Sequence, residues 1–95
     1  ARLFNLTVLV ATMPQTHRTV APDGRVRENA HGEIVAFNTE VRRLAAQNVH
    51  IVDLYQAFGG SNPLRHLMGD DGLHPTPAGY DVMAQQFHAA IVQHF

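Results

Sequence analysis

Two short apolar segments constrain this chain more than anything else in it. Phe4-Asn5-Leu6-Thr7-Val8-Leu9-Val10-Ala11-Thr12 places Phe4, Leu6, Val8 and Val10 on one side, and Leu9 and Ala11 on the other. A strand apolar on both faces belongs in a parallel sheet that is covered on both sides. Pro14 ends it, because proline has no N–H to give to a ladder. Val49 to Leu54 (VHIVDL) reads as a second strand of the same kind. Between them, Ile34, Phe37, Val41 and Leu44 recur at helical spacing and predict a helix from about Ala30 to Gln47. Asn29 is its expected N-cap, and Asn48 its expected left-handed stop.

The rest of the chain completes an α/β order. Residues 15–31 are polar and carry the turn triplet Pro22-Asp23-Gly24, flanked by Val20 and Val26, so a small hairpin is expected there. A long loop follows the second strand. Thr76 then caps a final helix with Pro77 at its first position and Tyr80, Met83, Phe87 and Ile91 as its apolar stripe. Strand–helix–strand is a parallel crossover, right-handed by the general rule. Two strands and one crossover leave sheet edges open. Either further strands come from elsewhere or the chain associates with itself.

Composition removes several function classes. The chain has 95 residues, 45% hydrophobic, which allows one domain at most. Its formal net charge of −1 gives no basic field for nucleic acid. It contains no cysteine, which excludes disulfides, a thiolate zinc site and a cysteine nucleophile, and which fits cytoplasm and secretion alike. No apolar run approaches the length of a membrane span. Seven histidines put metal binding or histidine chemistry in play. The chain starts at Ala1 and enters an apolar strand almost at once, which is expected of a piece of something longer.

In open parallel sheets, ligands bind beyond the carboxyl ends of the strands. The loop after Leu54 delivers Gly69-Asp70-Asp71-Gly72-Leu73-His74-Pro75 to that place. An aspartate three residues before a histidine has a chemical use. The carboxylate accepts the Nδ1 proton, fixes the tautomer, and stabilises the imidazolium formed when Nε2 acts as a base. Asp71 has the right offset, and Asp70 is one residue out. The spacing by itself also fits a plain turn at Asp71-Gly72.

The wider context is more specific. Asp71-Gly72-Leu73-His74-Pro75-Thr76-Pro77-Ala78-Gly79-Tyr80, followed by Met83-Ala84, closely resembles the C-terminal signature of the SGNH, or GDSL, hydrolases. Leu6–Pro14 looks like that family's fourth strand. Phe37-Asn38 and Ile51–Leu54 look like its next helix and fifth strand. The resemblance implies a three-layer α/β/α, flavodoxin-like fold, of which residues 1–95 are the C-terminal strand–helix–strand–loop–helix part of a single domain. It implies a carboxylic ester hydrolase with a Ser-His-Asp triad, His74 as the base and Asp71 as its orienting carboxylate. The family's serine and oxyanion hole lie in N-terminal segments that have no counterpart here. Ser61, the sole serine, sits in a turn composition without a nucleophile elbow, and Asn38 and Asn62 lack the family's asparagine context. The chain alone is therefore expected to be inactive. Its expected partners are the ester substrate and the N-terminal half of the enzyme, or a symmetry-related copy completing the sheet. No organic cofactor or metal is implied.

Gln15 and Thr16, just after the first strand, and Met68 and Leu73 in the loop are candidates to face substrate; Tyr55, Phe58, Leu64, Leu67 and Met68 either line an acyl pocket or simply pack the loop onto the sheet. A zinc site on His66, Asp70, Asp71 and His74 is a weaker alternative. A non-catalytic module that self-associates through its sheet edges is another. Asp53 is expected to make local hydrogen bonds, His50 to be structural, and His88 and His94 to suit the end of the last helix.

Overall fold

The computed structural model describes residues 6–95. Its centre is a two-stranded parallel sheet of β1 (Val8–Ala11) and β4 (Val49–Val52), in the register Val8 to Val49 through Ala11 to Val52. Backbone bonds from Val8 N to Asn48 O (2.8 Å) and from Thr12 N to Val52 O (3.0 Å) extend the ladder at both ends. Between the strands lie the antiparallel hairpin β2 (Thr19–Val20) and β3 (Val26–Arg27), and helix α1 (His31–Arg42). After β4 come a short helix α2 (Leu54–Ala57), a 3-10 turn (Arg65–Leu67) and the long helix α3 (Pro77–His94). The α/β class and the element order follow the sequence pattern. The bonded first strand is shorter than the predicted 4–12: Leu6 is exposed, and Phe4 lies outside the described residues.

Helix α1 departs from its predicted stripe. Its buried face is Ile34, Asn38 and Val41, whereas Phe37 and Leu44 are about half exposed. The reason is a polar anchor. Asn38 Oδ1 accepts from Met13 N (2.7 Å) and its Nδ2 donates to Met13 O (2.9 Å), so one carboxamide satisfies the backbone where β1 has just ended. The helix also stops five residues short of Gln47. Arg43, Leu44 and Ala45 bond to carbonyls three residues back, which tightens the turn and rotates Leu44 off the buried face. A reciprocal backbone pair between Ala46 and Val49 then leads into β4. The cap is Ala30, not Asn29, although Asn29 Oδ1 does accept from His31 N (3.2 Å).

The chain around α2 and α3 holds the main apolar cluster. Phe58, Leu67 and Met68 are buried, with Ala57, Val82 and Met83 packed on them. Asp53 caps α2 through Gln56 N and also takes bonds from Thr12 Oγ1 (3.0 Å) and Arg42 Nη2 (3.1 Å), tying β1, α1 and α2 together. In α3 the predicted stripe keeps Met83 and Phe87 and shifts by one residue at each end. The inward line runs through Gly79, Met83, Phe87, Ala90 and His94, and Tyr80 and Ile91 face out. Gly79 decides this, because a Cβ there would overlap the Leu67 carbonyl, so the helix docks on its glycine. At its far end the His94 ring stacks on His50 of β4, with centroids 3.5 Å apart and planes 8° from parallel.

The molecule is elongated. Its radius of gyration is 15.2 Å, against about 12 Å for a compact domain of this length. All four β1 residues remain only half-buried, and β1 has no bonded neighbour on the side away from β4 among the described residues.

Candidate active site

The segment from Met68 to Thr76 is a closed loop built on its own backbone. Gly69 N donates to His74 O (2.7 Å), Gly72 N to Gly69 O (2.9 Å) and Thr76 N to Leu67 O (3.0 Å), while Met68 pairs with Pro75 in an isolated antiparallel bridge. Thr76 Oγ1 accepts from Gly79 N (3.1 Å) to cap α3 and donates to His66 O (2.7 Å). The cap of α3 and the base of the loop are thus one hydrogen-bonded unit.

Asp71 organises the turn. Its Oδ1 accepts from Leu73 N (2.9 Å) and His74 N (2.9 Å), and its Oδ2 meets His74 Nδ1 at 2.5 Å. The His74 amide, then the His74 ring, then the Leu73 amide hold this carboxyl well below the usual carboxylate range. An ionised Asp71 fixes the Nδ1–H tautomer and turns Nε2 outward. The His74 side chain is 78% exposed, so Nε2 faces open space rather than the chain's own core.

Gly72 makes the turn possible. Its φ is +69°, and a Cβ on it would lie 2.5 Å from His17 O and 2.9 Å from Thr19 Cγ2. His17 N donates to Gly72 O (3.0 Å), so the segment entering the hairpin is fastened to the loop between Asp71 and His74. The His17 ring is buried and its Nε2 has no partner. Burial, and then the Arg65 charge, push its pKa down.

Of the other candidates to face substrate, only Leu73 stands exposed beside this pair. Gln15 is buried, with Nε2 against His31 Nδ1 (2.7 Å) and Oε1 accepting from Thr16 N (3.0 Å), so its carboxamide is engaged within the chain. Met68 is buried in the apolar cluster beneath the loop, and Leu73 stands exposed between Asp71 and His74. Tyr55, Phe58 and Leu67 are buried as well, and Leu64 is exposed. Ser61 is exposed in the turn formed by Gly59 (φ +106°) and Gly60 (φ +63°). Asp70 is exposed and makes no side-chain bond among the described residues. No three histidine or carboxylate side chains stand together as metal ligands among the described residues, so His66, Asp70, Asp71 and His74 do not assemble the alternative zinc site.

The GDSL-like lipase/acylhydrolase family model matches residues 1–82, a span that holds both strands, the loop and the start of α3. The chain belongs to the GDSL-like lipase/acylhydrolase family. No curated protein and no solved structure matches it. Within this GDSL-like chain, the roles of Gly72 as a contact point and His17 as an anchor were not legible from residue type. The one available signal was the glycine inside the Asp-x-x-His spacing, which marks a turn but not what presses on it. Asn38 had a clearer signal, as a polar residue four positions after Ile34 and three before Val41.

Proposed function

We propose that the chain supplies two members of a Ser-His-Asp triad in a carboxylic ester hydrolase, His74 as base and Asp71 as its orienting carboxylate. The observation that carries this is the three-donor grip on Asp71 with His74 Nδ1 at 2.5 Å and the imidazole otherwise open. The serine and oxyanion hole come from an N-terminal part of the same domain, which also completes a three-layer α/β/α, flavodoxin-like fold. A symmetry-related copy is the other way to complete the sheet.

The reaction then runs through protein groups alone. The serine Oγ attacks the ester carbonyl as His74 Nε2 takes its proton, and the imidazolium returns that proton to the departing alkoxide. Water repeats the sequence on the acyl-enzyme: His74 removes a proton from water, the tetrahedral intermediate collapses, and the acid leaves as the serine is reprotonated.

The free edge of β1 supports the missing segment. So does the surface: 6423 Å² is exposed, against roughly 5,400 Å² for a folded monomer of this mass. The excess is close to one partner's share of a standard interface. The test is to mix the chain with a separately made N-terminal half and assay a short-chain nitrophenyl ester. Hydrolysis is expected, and His74→Ala is expected to remove it. A folded complex without activity, or full activity in His74→Ala, would sink the proposal.

The same free edge favours a second reading, a non-catalytic module that pairs with its own copy. Light scattering separates the two: a discrete homodimer that ignores the N-terminal half supports the second.

A further inference from the structure

The β2–β3 hairpin contributes nothing to the parallel sheet, yet it stands on the Asp71–His74 loop. Its root is tied there by the His17 N to Gly72 O bond and by the contact of Gly72 with His17 O and Thr19 Cγ2. Its turn is closed on itself by Ala21 N to Arg25 O (2.8 Å) and Gly24 N to Ala21 O (2.9 Å). A cleft of about 640 Å³ opens between the two, with Val20, Pro22, Val26 and Arg27 on the hairpin side and Asp70 and Asp71 on the loop side. That size lies within the range of small-molecule sites.

The chemistry of the hairpin wall is apolar. Val20 and Val26 are directly opposed in the ladder, and they are 57% and 48% exposed. The charges around them largely cancel. Arg25 is paired with Asp23 (2.7 Å), Asp71 is occupied by the loop's own donors, and the remaining charges of the lining, Arg27 and Asp70, are one of each sign. An anionic ligand finds no surplus of positive charge here, whereas an aliphatic group finds two opposed valines and a proline.

We propose that the hairpin is the wall that binds the aliphatic part of the ester, with Val20 and Val26 as specificity-determining residues. This rests on the reading of Asp71 and His74 as triad members, since it places the ester carbonyl beside His74 and its uncharged chain along the hairpin. A substrate with several methylenes gains the valine contact, and an acetyl ester does not reach it.

Two measurements test this separately from the esterase reading. The first titrates the chain with hexanamide and with acetamide, following backbone amide shifts by NMR. Shifts at Val20, Val26 and Gly72 are expected with hexanamide at concentrations where acetamide gives none. The double variant Val20→Thr/Val26→Thr keeps β-branched shape and is expected to weaken hexanamide about 5- to 15-fold, the loss from exchanging two contacting methyls for hydroxyls. Retained shifts for Leu73 and His74 in the unliganded variant show that the loop stays folded. The second measures, in the reassembled enzyme, the ratio of kcat/KM for nitrophenyl hexanoate over nitrophenyl acetate, which is expected to fall by the same factor in the double variant. Absence of hexanamide shifts at the hairpin overturns the proposal. So does an unchanged ratio in an active enzyme, and that outcome leaves the esterase reading standing. Hexanamide binding that the double variant weakens, in a complex that hydrolyses neither ester, supports the hairpin site and overturns the triad instead.

Discussion

Gly72→Ala tests the link between the hairpin root and the dyad loop, and Gly24→Ala is its internal control. Both glycines have positive φ, +69° and +87°. An alanine in the left-handed region costs about 1–2 kcal/mol at either place. They differ in surroundings. A Cβ on Gly24 meets nothing within 4 Å, whereas on Gly72 it lies 2.5 Å from His17 O and 2.9 Å from Thr19 Cγ2. The first of those neighbours is backbone, held in place by the bond from His17 N to Gly72 O, so it cannot swing aside as a flexible side chain would. Overpacking of this kind adds about 1–3 kcal/mol. Gly72→Ala is therefore expected to lose about 2–5 kcal/mol and Gly24→Ala about 1–2 kcal/mol. Urea unfolding at constant m measures both. For a chain of this size each kcal/mol moves Tm by roughly 4–8 °C, so the gap between the variants is readily measured. The loop has one cheaper escape, which is to lift off His17 without unfolding. In that event faster hydrogen exchange at His17 N accompanies a smaller loss of stability. Equal destabilisation of the two variants, with His17 N still protected, would refute the argument that Gly72 is pinned under the hairpin root.

Three further outcomes follow from the same structure. Asn38→Ala leaves the Met13 N–H and C=O without their partners beside the buried face of α1, and is expected to cost about 2–4 kcal/mol in urea unfolding; a loss below about 0.5 kcal/mol would show that water replaces the carboxamide freely. Asp71 is held below its unfolded pKa, so the stability it lends is present above about pH 4 and is lost as pH falls further; its carboxyl carbon shift should show an ionised side chain still at pH 3, and an ordinary carboxylate midpoint would contradict the three-donor grip. His17 has the opposite charge type but the same direction of loss. Its folded pKa is lowered by burial and by Arg65, so its contribution is present above about pH 6.5 and is lost on acidification. His17→Gln should flatten the fall in stability between pH 7 and pH 5, and an unchanged slope would show that the ring protonates without cost.

How much of this was legible in the sequence depends on the kind of force involved. The strands and the last helix start were legible because side-chain alternation and the Thr76-Pro77 pair are local signals. The Asp71–His74 pair was legible for a similar reason: three residues of chain hold both groups, and their backbone amides do much of the holding. Where the reading of the helices departed from the structure, the cause is long-range. Asn38 displaces Phe37 from the α1 stripe because of Met13, twenty-five residues earlier, and Gly79 replaces Tyr80 at the start of the α3 stripe because of the Leu67 carbonyl. Spacing within a helix carries no information about which backbone group waits opposite it.

The same distinction explains the hairpin. Its turn is written in Pro22-Asp23-Gly24, but its position against the Asp71–His74 loop depends on one backbone bond, which has no residue-type signature, and on Gly72, whose identity marks a turn but not what presses on it. Val20 and Val26 read as strand formers and nothing more until the loop is seen beneath them. On the proposed reading, a pair that is local in sequence and a wall about fifty residues away are free to vary independently. Loop chemistry can then stay constant while the hairpin's two exposed side chains are exchanged. On this argument, substituting Val20 and Val26 changes which ester is preferred, whereas substituting Asp71 or His74 changes whether any ester is cleaved.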